Sequence, residues 1–225
     1  MKILIVDSEL LPARRMAGFF VNKGFICEHA TDYNAASRKI DAYLYDIVIL
    51  DTDINNGRGI QLITQITNKD AGTGIIVSTM RQSLPEKLEC FELGADDYLV
   101  KPPVIEELYA RVKALYRRRV FRGAKHIRFD DFAIDTQQKK LTYHNREIEL
   151  TPKEYQLLAY FVANRNKVLN KLAIAEYIWG DHADQIDSFD AVYVHLTNLR
   201  KKLNRGKGHD YIKTIYGTGY KFVVN

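Results

Sequence analysis

The sequence offers few ways of bracing itself other than burying a core. Two cysteines, Cys27 and Cys90, are too few for a disulfide framework and lack metal-ligand spacing, which leaves them as packing residues in a reducing compartment. No apolar run approaches the roughly 20 residues needed to span a bilayer, and the N-terminus lacks the charged, apolar, small-residue pattern of a secretion signal. A soluble, cytoplasmic protein with no membrane partner is expected. Internal repeats and low-complexity tracts are also missing. What remains is a chain of 225 residues with 46% hydrophobic content, enough for one large core or two modest ones.

Charge separates the chain into halves. Residues 1 to 119 carry 16 Lys+Arg against 16 Asp+Glu, and residues 120 to 225 carry 17 against 12, so the net charge of +5 belongs to the C-terminal half. A neutral half joined to a basic one suggests control attached to an anionic partner, above all nucleic acid.

In the first half, short β-branched runs near 2 to 6, 25 to 29, 46 to 50, 75 to 79 and 97 to 100 alternate with helical patterns, the last from about 104. Five such units predict an α/β doubly wound parallel sheet of five strands. The basic, aperiodic stretch from Arg117 to Lys125 marks the boundary, giving a first domain at 1–119, a linker at 120–125 and a second domain at 126–225. In the second domain, segments near 126 to 134, 140 to 143 and 146 to 150 predict an antiparallel meander. Thr151-Pro152-Lys153-Glu154 reads as a capping box opening a helix through Val162. Asn170 caps a second helix ending near Trp179, a third runs from about Phe189 to Asn204, and Gly217-Thr-Gly219 closes a hairpin between Tyr211 and Val224.

Four polar residues end four apolar runs in the first half: Asp7, Asp51, Thr79 and Lys101. The carboxyl ends of strands in an open parallel sheet share one crevice, so acid, acid, hydroxyl and ammonium should meet there. Any one of them alone reads more simply as a cap or turn residue. Together they suit a carboxylate that receives a phosphoryl group.

Ordered segments in both halves then resemble a known family. Ile3-Leu-Ile-Val-Asp7, Asp46-Ile-Val-Ile-Leu-Asp51 and Gly94-Ala-Asp-Asp-Tyr-Leu-Val-Lys-Pro102 are similar to the signature segments of a receiver domain. Leu150-Thr-Pro-Lys-Glu-Tyr-Gln-Leu-Leu158, Val194-His-Leu-Thr-Asn-Leu-Arg-Lys-Lys-Leu203 and Thr214-Ile-Tyr-Gly-Thr-Gly-Tyr220 resemble those of a winged-helix effector domain. The chain thus resembles a response regulator of the OmpR/PhoB type, a flavodoxin-like receiver followed by an α+β winged-helix domain. The resemblance implies Asp51 as phosphoacceptor, with Mg²⁺ held by Asp7, Asp51 and the backbone carbonyl of Asp53. It implies Lys101 and Thr79 as phosphoryl-binding groups and Tyr98 as the switch aromatic.

Two positions depart from the family. Ser8 stands where a second acidic residue usually supplies the closest carboxylate contact to the metal, which predicts weaker Mg²⁺ binding and slower phosphorylation. Met80 replaces a very small residue and could fill space needed by the phosphoryl group. The last receiver helix, Glu106 to Arg118, retains the family's dimerising charges: Lys87 with Glu107, Glu92 with Lys113, and Asp97 with Arg111 across a two-fold interface. Such pairs also occur on ordinary solvated helix faces.

In the third effector helix, Val192, Leu196, Leu199 and Leu203 fall at core spacing. Tyr193, Thr197, Asn198, Arg200 and Lys201 are left on the opposite side, which with Thr214 and Tyr216 of the hairpin makes up the expected DNA-reading set. The expected partners are promoter DNA, a second copy of the chain, a sensor histidine kinase, and RNA polymerase through the acidic stretch Asp181 to Asp187. The functional expectation is a DNA-binding transcription regulator and not an enzyme. Its rival is an aspartate-dependent phosphohydrolase using Asp51 and Asp53, a reading that leaves the basic half unexplained.

Overall fold

Strand periodicity sends alternate residues of each apolar run to opposite faces of a sheet, and the first half of the chain uses both faces. The computed structural model describes residues 1–70, 72–121, 123–179, 190–204 and 209–224. Its chain divides into two units, Met1–Gly123 and Ala124–Asn225. In the first, β1 (Lys2–Val6), α1 (Leu10–Asn22), β2 (Ile26–Ala30), α2 (Tyr33–Ala42) and β3 (Ile47–Leu50) lead to a short α3 (Ile54–Gly57) and a 3-10 turn (Arg58–Ile60). Next come α4 (Gln61–Lys69), β4 (Gly74–Thr79), α5 (Leu84–Glu92), β5 (Asp97–Val100) and α6 (Ile105–Phe121). The five strands pair in the order β2-β1-β3-β4-β5, all parallel. This is the doubly wound sheet expected from the strand runs.

Leu4, Val6, Val48, Leu50, Ile75 and Val77 pack on one face against Ala36, Ile40, Leu62, Ile63, Ile66 and Cys90. Ile3, Ile5, Ile47, Ile49 and Ile76 pack on the other against Ala13, Met16, Phe20, Leu108, Val112 and Leu115. The sheet ends are therefore clamped from both sides. Gly59 tightens the ground beneath β3, since a Cβ there would lie 2.5 Å from the Asp51 carbonyl oxygen. The last helix outruns the expected end at Arg118, because Phe121 is buried with its ring edge-on to Tyr116 at 5.5 Å. The stretch read as linker thus begins inside α6.

In the second unit, the segment read as one strand over 126 to 134 is two. A left-handed Asp130 turns the chain between β6 (His126–Phe129) and β7 (Phe132–Asp135), and β8 (Lys140–Tyr143) and β9 (Arg146–Ile148) complete a four-stranded antiparallel sheet. The Thr151 capping box is present and opens α7 (Pro152–Ala163). Between α7 and α8 (Lys171–Trp179) lies β10 (Val168–Leu169), too short to be seen in the sequence. Asn170 caps α8, its side-chain oxygen accepting from the Ala173 N–H at 2.7 Å. Then come α9 (Asp190–Leu203) and the hairpin β11 (Ile212–Ile215) and β12 (Gly219–Phe222), with β12 paired to β10 on its other edge. At Gly219 a Cβ would lie 2.0 Å from the Leu169 carbonyl oxygen, so this close pairing needs glycine. Val192, Leu196, Leu199 and Leu203 are all buried, as their spacing predicted. Each contributes roughly 1.5 to 3 kcal/mol by burial. Phe189 and the acidic stretch Asp181 to Asp187 lie outside the described residues. No helix among the described residues is long and apolar enough to cross a membrane.

Candidate functional site

Adjacent parallel strands bring their C-terminal residues side by side, and β1 and β3 are neighbours. Asp7 and Asp51 therefore sit together, 2% and 5% exposed. The Lys101 ammonium, delivered by the end of β5, lies 2.8 Å from Asp7 Oδ2 and 2.7 Å from Asp51 Oδ2. Each carboxylate turns its other oxygen to the backbone two residues on: Asp7 Oδ1 accepts from the Glu9 N–H, and Asp51 Oδ1 from the Asp53 N–H, both at 2.9 Å. Burial alone would lower the Lys101 pKa, but hydrogen bonds to Asp51 and Asp7 and their charges outweigh it and raise the value. The result is a buried carboxylate pair bridged and half-neutralised by one fixed cation.

Thr79 is fully buried at the end of β4, yet its hydroxyl does not face Asp51. It donates to Asp53 Oδ2 at 2.7 Å. The same Asp53 carboxylate accepts from the Arg81 guanidinium, which also pairs with Glu86 at the start of α5. Tyr98 is turned inward, 7% exposed, and its hydroxyl donates to the Arg81 backbone carbonyl at 2.9 Å. Its ring lies against Phe91, centroids 6.5 Å apart, under the Lys87 ammonium.

In the second unit, α9 buries its apolar stripe and leaves Tyr193, Thr197, Asn198 and Lys201 exposed. Tyr216 stands at the hairpin turn, 94% exposed. Arg200 differs from the expectation. Its guanidinium is directed at the hairpin, donating to the Ile212 carbonyl and to Thr214 Oγ1 at 2.8 Å, with its charge 5.5 Å over the Tyr220 ring. Arg200 and Thr214 thus hold hairpin to helix, with the guanidinium committed to hairpin acceptors although the side chain is partly exposed. The Tyr193 ring sits beneath the Lys171 ammonium at 5.1 Å. His195 lies against Trp179 with ring centroids 5.8 Å apart.

Residues 3–113 match the family described as response regulator receiver domain, and residues 145–222 match that described as transcriptional regulatory protein, C terminal. The transcriptional regulatory protein BasR of Escherichia coli (strain K12) is 30% identical over 100% of this chain and 99% of its own length. SrrA of Staphylococcus aureus is 34% identical over 99% of this chain and 95% of its own. The chain is a response regulator of the OmpR/PhoB type. Among solved structures, the response regulator DrrB of Thermotoga maritima, an OmpR/PhoB homolog, covers 98% of its own length and 99% of this chain with 26% identity and a TM-score of 0.47. As a two-component response regulator, the protein carries a DNA-binding domain after its receiver.

The donor set of this regulator fits a magnesium ion only partly. Asp7 and Asp51 present two carboxylates at one point, already shared by an ammonium, which shows that the site attracts a cation. The Asp53 carbonyl accepts from the Gly57 N–H at 3.3 Å and keeps a second lone pair. The Asp53 carboxylate is committed to Thr79 and Arg81 instead. No group of three or more His, Cys, Asp or Glu suited to a metal occurs among the described residues, and Ser8 is exposed on the β1–α1 turn. One or two carboxylates suffice for an ion that keeps much of its water, so the residues fit a weakly held Mg²⁺.

Met80 does not bury itself over Asp51. It is 62% exposed and walls a cavity of about 630 Å³ beside Asp7 and Lys101, with Pro12, Met16, Phe19 and Ile105. Glu9 and Arg15 line the same cavity.

Of the pairs assigned to a two-fold interface, Asp97 with Arg111 forms inside one chain of the regulator: Arg111 Nη1 lies 2.9 and 3.0 Å from the Asp97 oxygens. Arg111 also reaches Glu107 one helical turn back, at 2.7 Å. The foot of β5 and the first turns of α6 are close enough for one guanidinium to serve both acids. Lys113 lies over the Tyr109 ring at 4.3 Å, and Lys87, Glu92 and Glu107 are exposed.

Arg81 and Glu86 went unnoticed in the sequence. The signal for Arg81 was an offset: Asp53 follows Asp51 by two residues, and Arg81 follows Thr79 by two, at the mouths of neighbouring strands.

Proposed function

We propose that this regulator binds promoter DNA as a dimer through a winged helix, with Asp51 as phosphoacceptor and phosphate control weakened at Ser8. The observation that carries the phosphoacceptor reading is the Lys101 ammonium bridging Asp7 and Asp51. A carboxylate oxygen of Asp51 forms the bond to phosphorus, and the donor leaves with the electron pair of the bond that breaks. Lys101 moves from neutralising the carboxylates to holding a phosphoryl oxygen. Bound Mg²⁺ supplies neutralisation of the charge that builds between carboxylate and phosphoryl group. With a serine hydroxyl at position 8, the ion would be held by Asp7, Asp51 and the Asp53 carbonyl alone. Exposed Met80 borders the route by which a donor reaches the site.

In this reading the phosphodonor is a sensor histidine kinase in the cytoplasm, and RNA polymerase is a further partner. In the effector half, α9 with Tyr193, Thr197, Asn198 and Lys201 is the reading helix. The hairpin β11–β12, tipped by Tyr216 and anchored through Arg200 and Thr214, is the wing. Lys87, Glu92, Asp97, Glu107, Arg111 and Lys113 form the charged face through which two receivers associate.

The phosphohydrolase reading requires a proton on the second carboxylate. Burial alone would raise the Asp53 pKa, but hydrogen bonds from Thr79 and Arg81 and the charge of Arg81 hold it below the usual carboxylate value. An ionised Asp53 cannot protonate a leaving group, which speaks against turnover of phosphate monoesters.

The test uses the full chain with an acyl phosphate donor and Mg²⁺. The wild type should label slowly, Ser8→Asp faster by about tenfold or more, as expected for an added carboxylate on the metal, and Asp51→Asn not at all. Rapid stoichiometric labelling of the wild type overturns the weakened site, and labelling of Asp51→Asn overturns the acceptor.

A further inference from the structure

Four elements of the receiver converge on one ion pair that no part of the phosphoryl chemistry requires. Asp53 follows β3, Arg81 follows β4, Glu86 opens α5, and Tyr98 belongs to β5. The Arg81 guanidinium pairs with Asp53 on one side and Glu86 on the other. It also crosses Gly57, where a Cβ would stand 3.1 Å from Arg81 Nη2. Glu86 is in turn held by the Ser83 hydroxyl, which donates to its carboxylate at 2.7 Å.

The side chain of Arg81 is thereby fixed at both ends of its guanidinium, and its backbone with it. That backbone carbonyl is the acceptor for the Tyr98 hydroxyl at 2.9 Å. The Arg81 N–H approaches Thr79 Oγ1 at 3.4 Å, and the Thr79 hydroxyl is spent on Asp53 at 2.7 Å. Asp53 thus accepts a hydrogen bond from Thr79 and binds a cation from the following loop. A phosphoryl group on Asp51 would make the first of those demands of the same Thr79 hydroxyl, with Lys101 as its cation.

We propose that Asp53 and Arg81 are positioning residues that stand in for the phosphoryl group, holding Thr79 and Tyr98 in their inward places in the unphosphorylated protein. This deepens the reading of the receiver given above and rests on it. The physical requirement is an anion facing Thr79 and a tether on the β4–α5 loop, and the ion pair meets both without a covalent step. Phosphorylation then adds little to the position of Tyr98, because the hydroxyl and the loop are already engaged. A built-in anion at Asp53 suits a receiver whose metal site lacks an acidic residue at Ser8: its output face is set by its sequence.

The experiment follows Tyr98 itself, so that it does not depend on DNA binding. Full-length protein carrying ¹³C-labelled tyrosine is compared with Arg81→Ala and Arg81→Lys, the Tyr98 ring signals being assigned with Tyr98→Phe. In the wild type the Tyr98 signals should be unmoved by an acyl phosphate with Mg²⁺. Arg81→Ala should move them to a second position, depopulating the inward state by about fivefold to tenfold, the range expected when two partly exposed ion pairs are lost. Arg81→Lys, which keeps one contact, should fall between. Arg81 is largely solvent-facing, and an unchanged thermal midpoint for Arg81→Ala confirms that the fold is intact. If Tyr98 keeps its wild-type position in Arg81→Ala, or moves in the wild type only when the donor is added, the proposal is overturned. A failure of Asp51 to accept phosphate with Tyr98 responding to Arg81 would instead strike the phosphoacceptor reading and leave this one standing.

Discussion

The two surfaces that matter in this protein treat charge in opposite ways. At the mouth of the receiver sheet the charges around Asp51 pair within the same chain: Lys101 between Asp7 and Asp51, Arg81 between Asp53 and Glu86. On the outer face of α9 and the hairpin, Lys201, Lys213 and Lys221 have no ion pair among the described residues, beside exposed Thr197 and Asn198. A crevice between strand ends is walled by low-dielectric core, so an unpaired charge there is costly and must be matched internally. A helix face in water carries no such demand and keeps its donors for an external anion. The first surface settles these charges within the chain, and the second leaves them open to solvent.

The sharpest way to break this comparison is to leave the receiver crevice unmatched. Lys101→Met strands two carboxylates, and loss of one partner of a buried pair costs about 3 to 5 kcal/mol. The receiver half should unfold at a markedly lower temperature in calorimetry, and Mg²⁺ should restore part of the loss in the variant by taking the place of the ammonium. Indifference to both would mean that the carboxylates are neutralised in some other way.

A buried pair in the effector half gives a second comparison. Glu154, 2% exposed, binds Lys202 at 2.7 Å and closes the Thr151 capping box. Burial alone would raise its pKa, but the Lys202 hydrogen bond, the Thr151 hydrogen bonds and the Lys202 charge outweigh it, so the value falls below the ordinary 4.5. A depressed carboxylate stabilises fully above its unfolded pKa and loses that contribution as pH falls through the folded one. Glu154→Gln should therefore cost about 1 to 3 kcal/mol at neutral pH, and the gap to wild type should narrow as pH falls below 4.5. Denaturant midpoints across that range check it. A gap independent of pH would assign the effect to packing.

The open surface is probed with DNA selected from a random pool. Asn198 can offer an adenine edge a donor and an acceptor, so Asn198→Ala should relax one base position per half-site by about 1 to 3 kcal/mol. Lys201→Ala should instead weaken all sequences alike and lower the salt slope by about 1. An unchanged base profile for Asn198→Ala would move specificity to Tyr216 or to DNA shape. The smallest effect belongs to the exposed charges of α6. Arg111→Gln should change receiver stability by no more than about 1 kcal/mol, since Asp97 and Glu107 are partly solvated, while lowering self-association in sedimentation. A large loss of stability with association unchanged would make Arg111 a brace of one chain and not of a dimer.

Much of this protein could be read from its residues one element at a time. The β-branched runs placed all five strands and the polar residues that end them, because a strand's period and its boundaries are local properties. Thr151 with Glu154, and Asn170, announced their helices for the same reason: a cap is satisfied within four residues. The spacing of Val192, Leu196, Leu199 and Leu203 told which side of α9 faces inward, and so which side is free. Side-chain direction across elements was beyond this reach. Nothing local says that Thr79 turns to Asp53 and away from Asp51, that Arg200 belongs to the hairpin, or that Arg111 finds Asp97 in its own chain. Those outcomes depend on which strand ends and helix turns the fold brings within about 3 Å, the distance over which a hydrogen bond forms. Sequence by itself determined the family, most elements of the two domains and the acidic pair with its lysine. Tertiary structure decided which partner each charged group takes, because each has several acids or donors to choose from and only packing selects one.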